Sequence, residues 1–408
     1  MTRIAIIGAG SGGAMTANIL RRKLQRDEAD ITVIDKSDTH YYQPSYYLLP
    51  FDYMMPEAQM RPVDELLNPG IDFHQDEVTG VNPDDQVVEC TGENVEYDYL
   101  VVVSGHTLEP ESVPGMAEGW RETDEVFPYY HYDAATGMSD AVDEFEGGTF
   151  LVTVPDTPIK CAGAPLKMSM LMEDYMSRTG IREDSQVIMT KPGEAVFGVE
   201  PYKSKMEEIW ADRDIEFVPN FSVAEVDYEN RVVRSTDGDE IEYDMYAPVS
   251  PQYGADSIAE NSPLTEGGEP VTFDKQERIY SGDPQRPPQY VTVDQHTLQH
   301  TEYDNVFALG DCDDAPKSRT ASAARKQAPV VAKNLIAHME GNPMRGHYDG
   351  YAACPLLTQK GKAVIAEFDY EDALSAPVES RANWVLDVNV LPATYWNMWM
   401  KGYDPAPV

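Results

Sequence analysis

Cysteine is scarce in this chain: there are four among 408 residues, Cys90, Cys161, Cys312 and Cys354, and no two form a CxxC pair. That spacing excludes a disulfide scaffold and argues against structural zinc, so no metal site is expected. Basic residues are scarce too. Only 31 Lys and Arg stand against 71 Asp and Glu, a formal charge of −40, which repels nucleic acid. No run of about 18 uninterrupted apolar residues offers a membrane-spanning helix. The opening MTRIAIIGAG enters a strand at once and lacks the basic, apolar and small-residue succession of a cleaved signal peptide. The acidic excess runs through the whole chain and is not confined to a tail. Such a charge repels itself unless molar salt shortens the Debye length to about 3 Å, which points to a halophilic protein.

What is present has the rhythm of an α/β protein, and the length suits two or three domains. A strand (Arg3 to Ile7), a glycine turn, a helix (about Gly12 to Arg26) and a strand (Ile31 to Ile34) open the chain, with Arg21, Arg22 and Lys23 at the negative end of the helix dipole. A β-rich stretch over 72–81 and 86–89 leads to the apolar strand Tyr99 to Val103, which ends at Ser104 and Gly105. Residues 106–130 read as a linker. A second α/β unit starts at Gly147, with strands Thr149 to Val154 and Gln186 to Met189 and helices Ala164 to Arg178 and Tyr202 to Asp212. Residues 251–290, rich in Pro, Gly and charge, read as loop. The strand Tyr303 to Ala308, the segment GDCDD and a helix from Ala321 to Glu340 precede a C-terminal piece over 346–408.

GAGSGG places Gly8, Gly10 and Gly13 as GxGxxG between strand and helix, with Asp35 at the end of the next strand. In a dinucleotide site the first glycine turns the chain, the second admits the pyrophosphate, the third lets helix and strand pack, and the carboxylate accepts from ribose hydroxyls. Gly12 and Lys36 adjoin these positions as candidate contacts. The second unit lacks such a fingerprint. Its strand ends in VPDTPIKCAGAP, where proline and lysine stand where a pyrophosphate needs bare backbone, and this argues against NAD(P)H there.

The late segment VFALGDCDD resembles that of flavoproteins with two dinucleotide domains, which implies that Gly310 and Asp311 hold the ribityl or phosphate part of FAD. VVVSGHTLEPESVPG is similar to the early flavin-contact strand of the same proteins, with Ser104 and Gly105 in place of their usual Thr-Gly. Five further motifs, HYYQPSYYLLP, PIKCAGAPLK, VFGVEPY, SRTASAARKQAPV and YDGYAACPLLT, resemble the sulfide:quinone oxidoreductases over nearly the whole chain. The resemblance implies two Rossmann-like, glutathione-reductase-like dinucleotide domains plus a C-terminal segment. The expected boundaries are 1–112 and 251–345 for the FAD domain, 113–250 for the second domain with Cys161, and 346–408 for the C-terminal region with Cys354. It implies FAD, contacted also by Gln43, and a redox pair of Cys161 and Cys354.

A third cysteine of some family members is missing from FPYYHYDAATG, so the flavin is expected to be non-covalent. Sulfide is the expected substrate and a membrane quinone the acceptor. Lys160 and Lys167 flank Cys161, where positive charge favours hydrosulfide and thiolate, although solvated surface lysines explain them equally well. Cys90 is assigned to packing, Cys312 to the lining of the cofactor site, and His40, His106 and His131 to structural or surface positions. Three of the five tryptophans, Trp384, Trp396 and Trp399, lie near the C-terminus and suit a lipid interface and a quinone, with Phe368 and Tyr370 as further candidates for the quinone slot. Peripheral membrane contact, with the cytoplasmic face favoured, and a homo-oligomer are compatible with this. Two alternatives stay open: a single-chain NADH:quinone oxidoreductase, and a flavin-bearing sulfur-binding or redox-sensing protein.

The charge yields a first prediction: structure and flavin are lost as salt falls below roughly 1 M, where screening weakens. Melting followed by fluorescence across a salt series tests this, and a melting point independent of salt refutes the halophile assignment.

Overall fold

The computed structural model describes residues 1–265 and 290–403. Two parallel sheets organise it. The first runs in the order Val306–Ala308, Tyr99–Val102, Thr2–Ile7, Ala29–Asp35, Asp72–Gln75, all parallel. The second runs Glu216–Pro219, Ser185–Lys191, Gly148–Thr153, Met245–Pro248, again parallel. Unbroken apolar runs such as Leu100, Val101 and Val102 are buried because helices cover both faces of such a sheet.

The order of the first sheet decides where the site lies. Gly8 follows one strand, Asp35 ends the next, Ser104 and Gly105 follow a third, and Gly310 and Asp311 a fourth. Four distant stretches of sequence thus converge at one carboxyl edge, where open α/β sheets bind ligands.

Helices fall close to expectation: Ser11–Lys23, Ala164–Thr179, Tyr202–Asp212 and Ala321–Met339. Two segments read as unstructured are not. Residues 106–130 contain the strand His106–Leu108 and the helix Met116–Glu122. The described part of 251–290 contains the strand Gln252–Gly254 and the helix Asp256–Ala259, while residues 266–289 lie outside the described residues. His106–Leu108 and Gln252–Gly254 pair with each other, antiparallel. Partners so far apart leave no local pattern, so composition alone suggested loop.

The C-terminal region divides between the two cores. The hairpin Ala352–Gln359 and Lys362–Phe368 packs on the helix Ala164–Thr179 in the core of the second unit. Tyr395 and Met400 belong to the core of the first. Between them run the helix Arg381–Val385, a π-helical turn Leu386–Val390 and the helix Leu391–Asn397. Pro392 brings no N–H for the carbonyl one turn earlier, and the widened turn lies immediately before it.

One buried side chain ties this tail to the first unit. Asn18, on the helix Ser11–Lys23, donates to the carbonyls of Met400 (2.6 Å) and Leu66 (2.9 Å) and accepts from the Asn68 amide (2.6 Å). Asn18→Ala strands those groups and is expected to lower stability by about 1–3 kcal/mol, with the protein remaining folded. Equilibrium unfolding by denaturant measures this, and an unchanged midpoint contradicts it.

Candidate active site

A cavity of about 610 Å³ opens at the carboxyl edge of the first sheet and extends to the second unit. Gly8, Gly10, Gly12, Asp35, Gln43, Ser104, Gly105, Gly310 and Asp311 line it, together with Cys161 and Cys354. The glycine turn is sterically obligatory. A Cβ on Gly13 would stand 1.8 Å from the Gly8 carbonyl oxygen, whereas one on Gly10 would meet nothing, so Gly10 leaves open space for a ligand to approach. The Asp35 carboxylate accepts from the amides of Ala9 (2.7 Å) and Ser37 (2.9 Å) and keeps further lone pairs for a ligand.

Two proposed contacts are placed elsewhere. Gly13 packs helix against turn, behind the cavity wall. Lys36 turns outward and pairs with Glu77 at 3.0 Å, because the strand has ended and its side chain follows solvent. Cys312 also departs from expectation. Its thiol lies 3.3 Å from the carbonyls of Val102 and Leu309, buried in the first core, and burial pushes it up to about 12.

The wall carries unpaired polar atoms. Ser104 Oγ, His106 Nε2, Tyr129 OH and Trp399 Nε1 are buried without a partner, and all four residues line the cavity. Buried polar groups are ordinarily satisfied, so this set fits a bound polar ligand such as a dinucleotide.

The two cysteines, 193 residues apart in sequence, meet at the far end. Cys161 lies in the loop between Gly148–Thr153 and Ala164–Thr179, at φ 48°, an uncommon conformation for a side-chain-bearing residue. Its amide donates to the Arg319 carbonyl (2.6 Å), and its carbonyl accepts from Tyr130 OH (3.0 Å) and the Ala164 amide (2.8 Å). Cys354 comes from the C-terminal hairpin, opposite Ala366. A Cβ on Gly163 would lie 2.3 Å from Cys354 Sγ, so only glycine at this place leaves the sulfur its room.

The electrostatics separate the pair. A hydrogen bond from the Cys354 thiol holds Cys161 below the usual thiol range against the effect of burial, helped by the Lys167 ammonium, whose Nζ donates to Cys161 Sγ at 3.6 Å. The same hydrogen bond and burial push Cys354 up. Lys167 is buried and Lys160 is half-buried. Lys167 is 2 % exposed; burial opposes its charge, yet Cys161, Cys354 and Asp387 keep its pKa raised. Lys160 also lines the cavity, and burial lowers it.

His40 and His106 line the cavity, where sequence had assigned them no part. His40 bridges the Ala9 carbonyl (3.0 Å) and Tyr395 OH (2.6 Å), and burial lowers it to about 4. His131 lies off the wall, with Nε2 3.2 Å from Ser250 Oγ. Cys90 is buried in the first core, with His74 and Asp76 nearby. Of these, His74 Nε2 lies 3.0 Å from the Glu93 carbonyl, and Asp76 accepts from the amides of Gly92 and Glu93.

Phe368 and Tyr370 are not on the wall. Phe368 borders a separate cleft of about 380 Å³, and Tyr370 OH donates to the Gln295 carbonyl. Beyond the hairpin, the C-terminal residues that reach the cavity are Leu386, Asp387, Leu391, Tyr395 and Trp399. Sequence reasoning missed Asp387 and Tyr47 altogether. The tyrosine-rich HYYQPSYYLLP was a usable signal for Tyr47, whereas Asp387 is one acid among 71.

A model of the pyridine nucleotide-disulphide oxidoreductase family matches residues 2–134. The mitochondrial sulfide:quinone oxidoreductase of Dictyostelium discoideum is 32% identical over 413 residues, covering 98% of this chain and 86% of that protein. The chain belongs to the sulfide:quinone oxidoreductase family. The family's mouse mitochondrial enzyme is 28% identical, over 99% of this chain and 87% of that one. The solved sulfide:quinone oxidoreductase of Aquifex aeolicus superposes with a TM-score of 0.81 at 18% identity, covering 99% of this chain and 92% of that one, and so shares the fold. The family is one of flavoprotein oxidoreductases, and the two parallel sheets are its two Rossmann-like units.

Gly163 provides a direct test of how closely the sulfurs must fit. At φ −86° an alanine meets no backbone strain, so Gly163→Ala is expected to fold and bind FAD while displacing Cys354 Sγ. Sulfide-driven bleaching of the flavin, followed by stopped flow, is expected to slow at least about tenfold, or ~1.4 kcal/mol of barrier. An unchanged rate at matched flavin content contradicts the packing argument.

Proposed function

We propose that this enzyme oxidises sulfide at the Cys161–Cys354 pair and passes the electrons through non-covalently bound FAD to a quinone. The observation that carries the proposal is the meeting of two cysteines and a buried lysine on one wall of a cavity whose other wall is the glycine fingerprint. FAD bound along Gly8 to Gly12, Asp35 and Asp311 supplies the two-electron acceptor. Among the described residues the pair provides the only cysteines on the wall, which supports a flavin held without a covalent link.

With the pair oxidised, hydrosulfide attacks one sulfur, the S–S bond breaks, a new S–S bond makes a persulfide, and the other sulfur leaves as thiolate with the bonding electrons. The more acidic thiol leaves faster. Cys161, the sulfur that the Lys167 ammonium faces at 3.6 Å and acidifies, is therefore the leaving sulfur and Cys354 carries the persulfide. Lys167 holds the thiolate it creates, and Tyr130 and Arg319 fix the loop that presents it.

Quinone approaches from the C-terminal segment. Leu386, Leu391 and Trp399 face the cavity, while Val385, Leu386, Val390, Met398 and Met55 are exposed apolar side chains suited to the edge of a lipid layer. No helix among the described residues is long and apolar enough to cross a membrane.

The type II NADH:quinone oxidoreductase of Staphylococcus aureus is 22% identical over 380 residues, but the turn that would bind NADH is here filled by the Cys161 loop, which favours sulfide. Anaerobic mixing with sulfide tests the proposal. Cys161→Ser and Cys354→Ser are each expected to keep FAD, release it on acid precipitation, and lose flavin reduction at least about a hundredfold, the double variant adding little. Normal reduction in either flavin-matched variant defeats the assignment.

A further inference from the structure

One charged group on the cavity wall has no part in the sulfur chemistry above. Asp387 is 7 % exposed and is carried inward by the π-helical turn Leu386–Val390, a rare backbone form that is frequent at functional sites. Tyr47 OH donates to Asp387 Oδ2 at 2.9 Å. Lys167 Nζ lies 3.8 Å from the centre of the same tyrosine ring while donating to Cys161 Sγ. Lys167 therefore stands between two groups able to carry negative charge: the Cys161 thiolate on one side and, across Tyr47, the Asp387 carboxylate on the other.

The titratable groups that act on Asp387 come from every element around it. Tyr42 and Tyr47 stand on and beside the 3-10 turn Gln43–Phe51, Lys167 is on the helix, Cys161 in its loop and Cys354 on the hairpin. Lys167 is the one cation in this group among the described residues. A buried positive charge needs one negative partner, and a second anion in the same dry space is costly. Burial raises Asp387 to about 6; Lys167 opposes the rise and a charge on Cys161 adds to it. The state of Cys161 therefore decides whether the carboxyl keeps its proton near neutral pH.

We propose that Asp387 is the alternate counterion of Lys167 and a redox-linked proton carrier, ionised while Cys161 is uncharged and protonated whenever Cys161 is a thiolate. This rests on the sulfide reading of the cysteine pair. In the opening step hydrosulfide bonds to Cys354 Sγ and the Cys161–Cys354 bond breaks, with its electron pair staying on Cys161. The hydrosulfide proton stays on the persulfide, and one further proton from solvent goes to Asp387. When the electron pair leaves the thiolate, Asp387 returns its proton at the wall formed by the C-terminal segment. Asp387 thus acts through Lys167, as a positioning residue for charge.

Infrared difference spectroscopy on the flavin-loaded enzyme, before and after anaerobic sulfide, reads this directly. A carboxylic-acid C=O band is expected to appear in the wild type, to shift with isotopically labelled aspartate, and to vanish in Asp387→Asn. In that variant Lys167 serves Cys161 alone, so the thiolate, read by its ultraviolet absorbance, is expected to form at lower pH. Its ratio to thiol at a fixed pH rises roughly tenfold, the scale of one screened charge interaction. Tyr47→Phe keeps the ring and removes the hydroxyl, so it moves the band without abolishing it and decides the matter even where Asp387→Asn fails to fold. Opening of the cysteine pair, shown by alkylation and mass, without a carboxyl band overturns this proposal and leaves the sulfide function standing. Failure of sulfide to open the pair at all defeats the function instead.

Discussion

A lysine ammonium taken out of water must be surrounded by electron-rich partners or give up its proton. Lys167 meets this demand with groups from four separate parts of the chain: the Cys161 sulfur, the Tyr47 ring, Cys354 on the hairpin and Asp387 in the C-terminal segment. Each of those parts belongs to a different stretch of fold, and the lysine gives all of them a reason to converge. The helix Ala164–Thr179 is buried over most of its circumference, and a polar residue there is tolerable only because its partners are already in place.

How much of this was legible in the sequence depended on distance along the chain. The first strand, glycine turn and helix were readable because a few adjacent residues dictate the geometry, and the helix Tyr202–Asp212 was located to the residue. The pairing of His106–Leu108 with Gln252–Gly254 was not, since neither strand carries a local signal for its partner. The same holds for the active pair. Composition and spacing could not join Cys161 to Cys354; the family motifs did. Lys36 and Cys312 illustrate a different failure. Both flank residues on the cavity wall, yet Lys36 lies just past the end of its strand and reaches solvent, while Cys312 closes the 3-10 turn Gly310–Cys312 and its thiol turns into the core. Asp387 had no signal at all among 71 acidic residues.

The distribution of charge in this chain is uneven in an instructive way. With −40 overall, cations are rare, yet Lys160, Lys167, Arg319 and Arg325 all line the central cavity. An anion such as hydrosulfide meets repulsion over most of the surface and attraction in one place. Salt shortens the reach of the surface repulsion much more than that of the buried attraction.

The π-helical turn before Pro392 carries a historical implication. Such a turn amounts to one extra residue accommodated within an ordinary helix. The widened turn absorbs that residue, so the helix beyond it keeps nearly the phase of a regular helix one residue shorter, whereas winding the same residues as a regular helix would rotate everything downstream by about 100°. Under such regular winding Tyr395 would swing its hydroxyl away from Ser11 and His40, and Met400 would slip from Asn18. The π-helical turn therefore keeps in register a tail that regular winding of the same residues would pull from its partners, which makes the winding of this segment, more than its composition, the quantity that descent must preserve.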